Sequence, residues 1–139
     1  MIFKSINPFS QAVIAEHEVL TNAQLTQKLQ LAESVFKSWR TTTFQERADK
    51  MQKLADILRA NKNELGLLIT NEMGKILSEG IGEVEKSAGN CDFYAENAEK
   101  MLKDEQYDTP FKSMSVYDPM GAVFAIMPWN YPFWQVLRY

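Results

Sequence analysis

Three kinds of side chain in this sequence could do chemistry: an amide in an apolar loop, a lone cysteine and a lone histidine. The amide is Asn130, in Met127-Pro128-Trp129-Asn130-Tyr131-Pro132, just after a charge-free run of seven residues from Gly121 to Met127. An amide in such surroundings needs hydrogen-bond partners. The residues leave two readings open. Asn130 is either a ligand-facing group just past the carboxyl end of a buried strand, where open α/β sheets bind ligands, or a turn and cap residue ahead of the next helix. Cys91 lies on an apolar helical stripe and reads as an inert core thiol. His17 stands between Glu16 and Glu18 and reads as a surface residue, because no further ligands at metal-binding spacing accompany it. Gly80-Ile81-Gly82-Glu83-Val84-Glu85 has the outline of a nucleotide loop. It fails as one: Glu85 stands where the third glycine belongs, no strand precedes it, and two carboxylates would repel phosphate.

The elements that must position Asn130 follow from periodicity. Asp118-Pro119-Met120-Gly121 makes a turn, and the run 121–127 suits a strand buried on both faces. Pro128 stops it, having no N–H for a ladder. Upstream, Ile2, Phe3 and Ile6 and then Ala12–Val19 read as short strands around Asn7-Pro8. Thr21 with Gln24, and Thr43 with Glu46, have the form of capping boxes. The first opens an amphipathic helix to about Arg40, with Leu25, Leu29, Ala32, Val35 or Phe36, and Trp39 on its face. The second opens a helix ending at Asn61, with Ala48, Met51, Leu54 or Ala55, and Leu58 facing inward. A third runs from Glu64 to Met73 with Leu65, Leu68 and Ile69 on one face, and Gly74 suits its left-handed end. A long helix from Ser78 to about Leu102 carries Ile81, Val84, Ala88, Cys91, Ala95, Ala98 and Leu102. Gly80, Gly82 and Gly89 weaken it and imply close helix packing. Glu79, Glu83 and Glu85 alternate with its apolar stripe and read as a solvated face. Residues 112–118 alternate as an exposed-edge strand does, and 104–110 is the one linker-like stretch.

Composition narrows the function classes. The 139 residues are 45% hydrophobic and 24% charged, ordinary for a globular domain with a real core. A net charge of −3 and a pI of 5.2 argue against a nucleic-acid surface. No apolar stretch approaches the roughly 18 residues that span a bilayer. The first residues lack the layout of a secretory signal. A single cysteine excludes an internal disulfide, so the expected compartment is the reducing cytoplasm. Tyr131–Tyr139 is rich in aromatics, where natural ends are polar. It reads as a chain cut inside a domain.

Pro119-Met120-Gly121-Ala122-Val123 followed by Ile126-Met127-Pro128-Trp129-Asn130-Tyr131-Pro132 closely resembles the signature of the aldehyde dehydrogenase superfamily. So does the upstream order of helix, Trp39-Arg40, helix and Glu72-Met73-Gly74-Lys75. The wording Met127–Val136 is most similar to the succinate-semialdehyde dehydrogenase branch. The resemblance covers the whole chain but only the amino-terminal part of such an enzyme. It implies an α/β parent fold with a Rossmann-like NAD(P)-binding domain. This fragment is then mostly α-helical, with short N-terminal strands, an edge strand near 112–118 and one buried strand near 121–127. Residues 110–119 would open the oligomerisation arm of a homo-oligomer, and 120–139 would start the cofactor-binding core.

The implied activity is oxidation of a small aldehyde, with succinate semialdehyde indicated, to the acid. A cysteine thiolate attacks the carbonyl, hydride leaves to NAD or NADP, and water hydrolyses the thioester. The resemblance assigns Asn130 as the amide donor to the oxyanion, and Ile126, Met127, Pro128 and Trp129 as lining of the cofactor cleft. It assigns Tyr131 to the substrate tunnel and Arg138 to the substrate's remote carboxylate, for which a bidentate guanidinium fork is suited. No metal, nucleic acid or membrane is implied. The family's nucleophilic cysteine, general-base glutamate, ribose-binding lysine and pyrophosphate helix lie downstream of this motif, and Cys91 cannot stand in. The expectation for the 139-residue polypeptide alone is therefore little or no activity. The competing expectations are an inactive remnant, a small helical binding or scaffold module, or a downstream reading frame that supplies the rest.

Overall fold

Helices dominate the chain, and the first two open on full capping boxes. The computed structural model describes residues 2–138. Helices α1 (Asn22–Trp39), α2 (Phe44–Ala60), α3 (Lys62–Met73) and α4 (Leu77–Met101) follow a two-stranded hairpin. Both capping boxes form. The Thr21 hydroxyl accepts the Gln24 N–H at 3.2 Å, and the Gln24 carboxamide accepts the Thr21 N–H at 2.8 Å. Thr43 and Glu46 repeat the exchange at 3.1 and 2.7 Å. Each cap is worth about 1 kcal/mol. Gly74 ends α3 at φ 77°, its N–H bonded to the Thr70 carbonyl at 2.9 Å.

The hairpin pairs β1 (Ile2–Ile6) with β2 (Val13–Glu18), antiparallel, with Phe3 opposite His17. Asn7 folds its loop by accepting the N–H groups of Phe9 and Ser10, both at 2.9 Å. The Ser5 hydroxyl reaches Glu72 of α3 at 2.9 Å. His17 is exposed, as its neighbours foretell.

Helix α4 is the spine. Ala55 and Leu58 of α2 and Ile69 of α3 pack with Val84, Ala88 and Cys91 to form the buried core. Cys91 is wholly buried, the core thiol that periodicity indicates. Helix α3 approaches α4 at two glycines. A Cβ on Gly66 would lie 2.6 Å from Ile81 Cγ1, and one on Gly80 would lie 2.8 Å from the Gly66 carbonyl oxygen. Close packing therefore explains Gly80 but not Gly82 or Gly89, beside which a Cβ would meet nothing within 4 Å.

Three expectations need correction. Glu83 is not on a solvated face: it is buried beside Ser87. The linker-like stretch 104–110 contains β3 (Glu105–Tyr107), which pairs antiparallel with β4 (Ser113–Ser115). The expected edge strand near 112–118 forms over that shorter span and takes its partner from the supposed linker, as an unpaired edge demands. Finally, no strand forms at 121–127. Val123, Phe124 and Ile126 are 87%, 86% and 85% exposed. A strand buried on both faces needs neighbouring strands for its ladder and layers above and below. Among the described residues no strand pairs with this segment.

Helix α1 also forms without burying a residue. The consequence shows in the surface. The 16.0 kDa chain exposes 10908 Å², where a closed monomer of that mass exposes about 7,400 Å².

Candidate functional site

The Asn130 loop is held from outside itself. It leads into a short helix, α5 (Pro132–Leu137), with Pro132 in the first turn, where a missing N–H costs nothing. Tyr131 is the residue before the helix and provides no side-chain cap. The cap comes from α4. Glu83 Oε1 accepts the N–H groups of Phe133 at 3.0 Å and Trp134 at 3.2 Å. At the other end the Asn90 amide donates to the Leu137 carbonyl at 2.6 Å, and the Tyr94 hydroxyl donates to the Arg138 carbonyl at 3.4 Å. Glu83, Asn90 and Tyr94 are spaced seven and four apart, so they lie in one line along α4.

Glu83's second oxygen binds Lys75, just after the left-handed Gly74. The two side chains are 1% and 7% exposed. Lys75 Nζ also sits 3.6 Å from the centroid of the Tyr131 ring, within cation–π range. Lys86 Nζ lies 3.8 Å from the centroid of the Trp134 ring. The Lys75–Glu83 pair thus touches the loop at Tyr131 and at the first turn of α5, on the carboxyl side of Asn130.

Asn130 itself is exposed, in a turn with Trp129. It does not cap α5. Ile126, Pro128 and Trp129 are exposed and Met127 is half-buried, in one extended strip that runs into Asn130. Trp129 is 75% exposed. Tyr131 follows, and the exposed Arg138 lies at the far end of α5, so this helix separates Asn130 from Arg138. The strip is apolar and open to solvent. It offers side chains and backbone for lining, not a cationic grip on phosphate.

Sequence reasoning missed Lys75 and Glu83. A signal was present: Gly80, Glu83 and Ser87 recur at the three-and-four spacing of the stripe beside them. A small residue, a carboxylate and a small hydroxyl in helical register widen the buried arc of α4.

Away from this loop, Arg59 binds both Glu85 and Asp92, and Lys62 reaches Glu85 at 3.1 Å. The Arg59 hydrogen bond holds the Asp92 carboxyl below its usual range, and the Lys62 hydrogen bond does the same for Glu85. Burial pushes the Cys91 thiol up. That environment keeps a thiol protonated and poorly nucleophilic. Among the described residues no group of acids, histidines and cysteines could hold a metal, and no helix is long and apolar enough to cross a membrane.

The helical spine, the docked α5 and the exposed Pro-Trp-Asn loop together define a class. The profile of the aldehyde dehydrogenase family matches residues 1–139, and the chain belongs to that family. Among its relatives is the probable succinate-semialdehyde dehydrogenase [NADP(+)] of Synechocystis, 42% identical over all of this chain and 31% of its own length. The succinate semialdehyde dehydrogenase [NAD(P)+] Sad of Escherichia coli is 39% identical over 96% of this chain and 29% of its own. In structure, the succinic semialdehyde dehydrogenase of Streptococcus pyogenes, solved with NADP+, superposes with a TM-score of 0.92. It is 28% identical and matches 97% of this chain and 30% of that one. The chain therefore spans about three tenths of the length of the relatives it matches. The expected parent fold is borne out.

Proposed function

We propose that this chain is the amino-terminal part of an NAD(P)-dependent aldehyde dehydrogenase that converts succinate semialdehyde, or a closely related small aldehyde, to its acid. The observation that carries the reading is the family match along residues 1–139, together with relatives named for that aldehyde. The cofactor, when bound, accepts hydride. Ile126, Met127, Pro128 and Trp129 form one wall of its cleft, through apolar side chains and backbone. The Asn130 amide donates to the oxyanion that develops as the carbonyl is attacked. Such a donor, held in place beforehand, lowers the barrier by roughly 3 to 4 kcal/mol. Tyr131 lines the path of the substrate, and Arg138 pairs with its remote carboxylate. In this reading 110–119 opens an oligomerisation arm, 120–139 starts the cofactor-binding core, and the enzyme works in the cytoplasm as a homo-oligomer on a small molecule.

The 139-residue chain alone carries neither nucleophile nor general base in this scheme, so it turns over little or no aldehyde. The exposed strip 121–127 and the surplus surface support a role as one layer of a larger enzyme. They speak against a self-contained helical module, which would bury Phe124 and Trp129. Reading the coding sequence beyond the codon for Tyr139 is the first test. A glycine-rich βαβ unit followed by the catalytic glutamate and cysteine is the expected result. The complete enzyme then oxidises succinate semialdehyde with NAD or NADP, and Asn130→Ala lowers kcat by roughly 10²–10³-fold. Unchanged turnover in Asn130→Ala refutes the oxyanion role, and NAD(P)-dependent turnover by the 139-residue chain refutes its inactivity.

A further inference from the structure

We infer that Lys75 and Glu83 are positioning residues for the Asn130 loop, a buried pair whose purpose is to fix where α5 begins. The inference rests on the reading of Asn130 as an oxyanion donor, and its evidence is independent of that reading. Helix α5 has six residues, too few to hold itself in water. Its first-turn donors lack a local cap. They are met by Glu83, 50 residues earlier in the chain. Nothing in local sequence places that carboxylate there; the α3–α4 packing does.

The expense of the arrangement argues for a task. Burying two charges costs several kcal/mol each in desolvation, and their attraction seldom exceeds what apolar replacements of the same size provide. A pair kept only for stability would be poorly chosen. Neither side chain has a buried polar atom without a hydrogen-bond partner, and in finding those partners the pair grips the loop. Glu83 divides its oxygens, one to Lys75 and one to the N–H groups of Phe133 and Trp134. Lys75 meets the face of Tyr131, the residue next to Asn130. Pro132 lies between those contacts, with a fixed φ. Asn130 thereby directly precedes a three-point mount. An amide that must meet a developing oxyanion gains from such a mount, because displacement of about 1 Å forfeits most of the benefit.

The test is amide exchange by NMR, in the complete enzyme, of two double variants that leave no unpaired buried charge. Lys75→Met/Glu83→Leu removes the acceptor and keeps apolar bulk, so the core remains folded. Lys75→Met/Glu83→Gln keeps a carboxamide oxygen in the acceptor's place. In the first variant, exchange at Phe133 and Trp134 rises on the order of tenfold or more, and the Asn130 side-chain amide resonances shift. Exchange at Leu58 and Ala88 stays unchanged. The second variant restores protection at Phe133 and Trp134. Retained protection in the Leu variant overturns the inference. So does loss spread equally over Leu58 and Ala88, or no recovery with Gln. Exchange decides this positioning role whatever Asn130 does, whereas turnover of Asn130→Ala in the complete enzyme decides the reading beneath it.

Discussion

Gly80 and Gly82 lie two apart on one helix, and the structure predicts opposite responses to the same methyl group. In a helix interior, alanine is favoured over glycine by about 1 kcal/mol. At Gly82 nothing lies within 4 Å of the added Cβ, so the gain is kept. Part of it comes from the unfolded chain, which loses freedom. Gly82→Ala should stabilise by about 0.5–1 kcal/mol. At Gly80 the Cβ would stand 2.8 Å from the Gly66 carbonyl oxygen and 3.4 Å from its Cα. The obstacle is backbone, so no side chain can swing aside. Helix α3 must move away from α4 by several tenths of an ångström. Overpacking of this kind costs about 1–3 kcal/mol, and a backbone clash belongs at the upper end. Subtracting the propensity gain leaves Gly80→Ala destabilised by about 2 kcal/mol.

Urea titration of the two variants reads the difference directly, since the midpoint moves with stability at constant slope. The expected result is a midpoint above the parent for Gly82→Ala and below it for Gly80→Ala, about 2.5–3 kcal/mol apart. Thermal melts should separate by several degrees in the same order. Equal midpoints, or a more stable Gly80→Ala, would refute the claim that α3 and α4 meet backbone to backbone at this turn. Such a result would also remove the packing that sets Glu83 one turn further on.

Acid should loosen the α2–α4 contact. Asp92 and Glu85 titrate below their unfolded values because of Arg59 and Lys62, so their contribution is present above about pH 4 and lost as pH falls through the folded values. Urea midpoints at pH 7 should exceed those at pH 3, with a smaller difference in Asp92→Asn; an equal or higher midpoint at pH 3 would contradict the assignment. Cys91 should resist a thiol reagent at pH 8 in the native chain and react at once in denaturant, because burial both shields it and holds it protonated. Rapid native labelling would show that the α4 core opens readily.

The legible parts of this fold are those whose cause is local. Thr21 and Gln24, Thr43 and Glu46, and Gly74 each act within a few residues, and the helix boundaries they imply recur within a residue or two. The core stripe of α4 is equally plain at Val84, Ala88 and Cys91, where burial follows its period, but Leu102 at its end is exposed. Glu83 was misread because its partners lie eight residues away at Lys75 and 50 away at Phe133. The spacing of Gly80, Glu83 and Ser87 hints at burial, but no spacing rule names a carboxylate's partners over such distances. The segment 121–127 shows the converse limit. Its composition calls for a strand, yet a strand is a relation between neighbours, and among the described residues none pairs with it. Asn130 was legible as a residue needing a partner, but not as one whose neighbours are clamped from α4.

Helix α4 reconciles these observations. One arc of it, Val84, Ala88 and Cys91, closes the core with α2 and α3. A second line, Glu83, Asn90 and Tyr94, takes the N-terminal donors and C-terminal carbonyls of α5. A helix with two such faces ties the position of the Asn130 loop to the packing of the core. Apolar contacts alone would let α5 slide along α4, since they are non-directional. Hydrogen bonds at both ends do not. The extended strip 121–127 then leaves this mount with its apolar side chains outward. The chain is thus tied down directly after the Asn130 amide and open along 121–127.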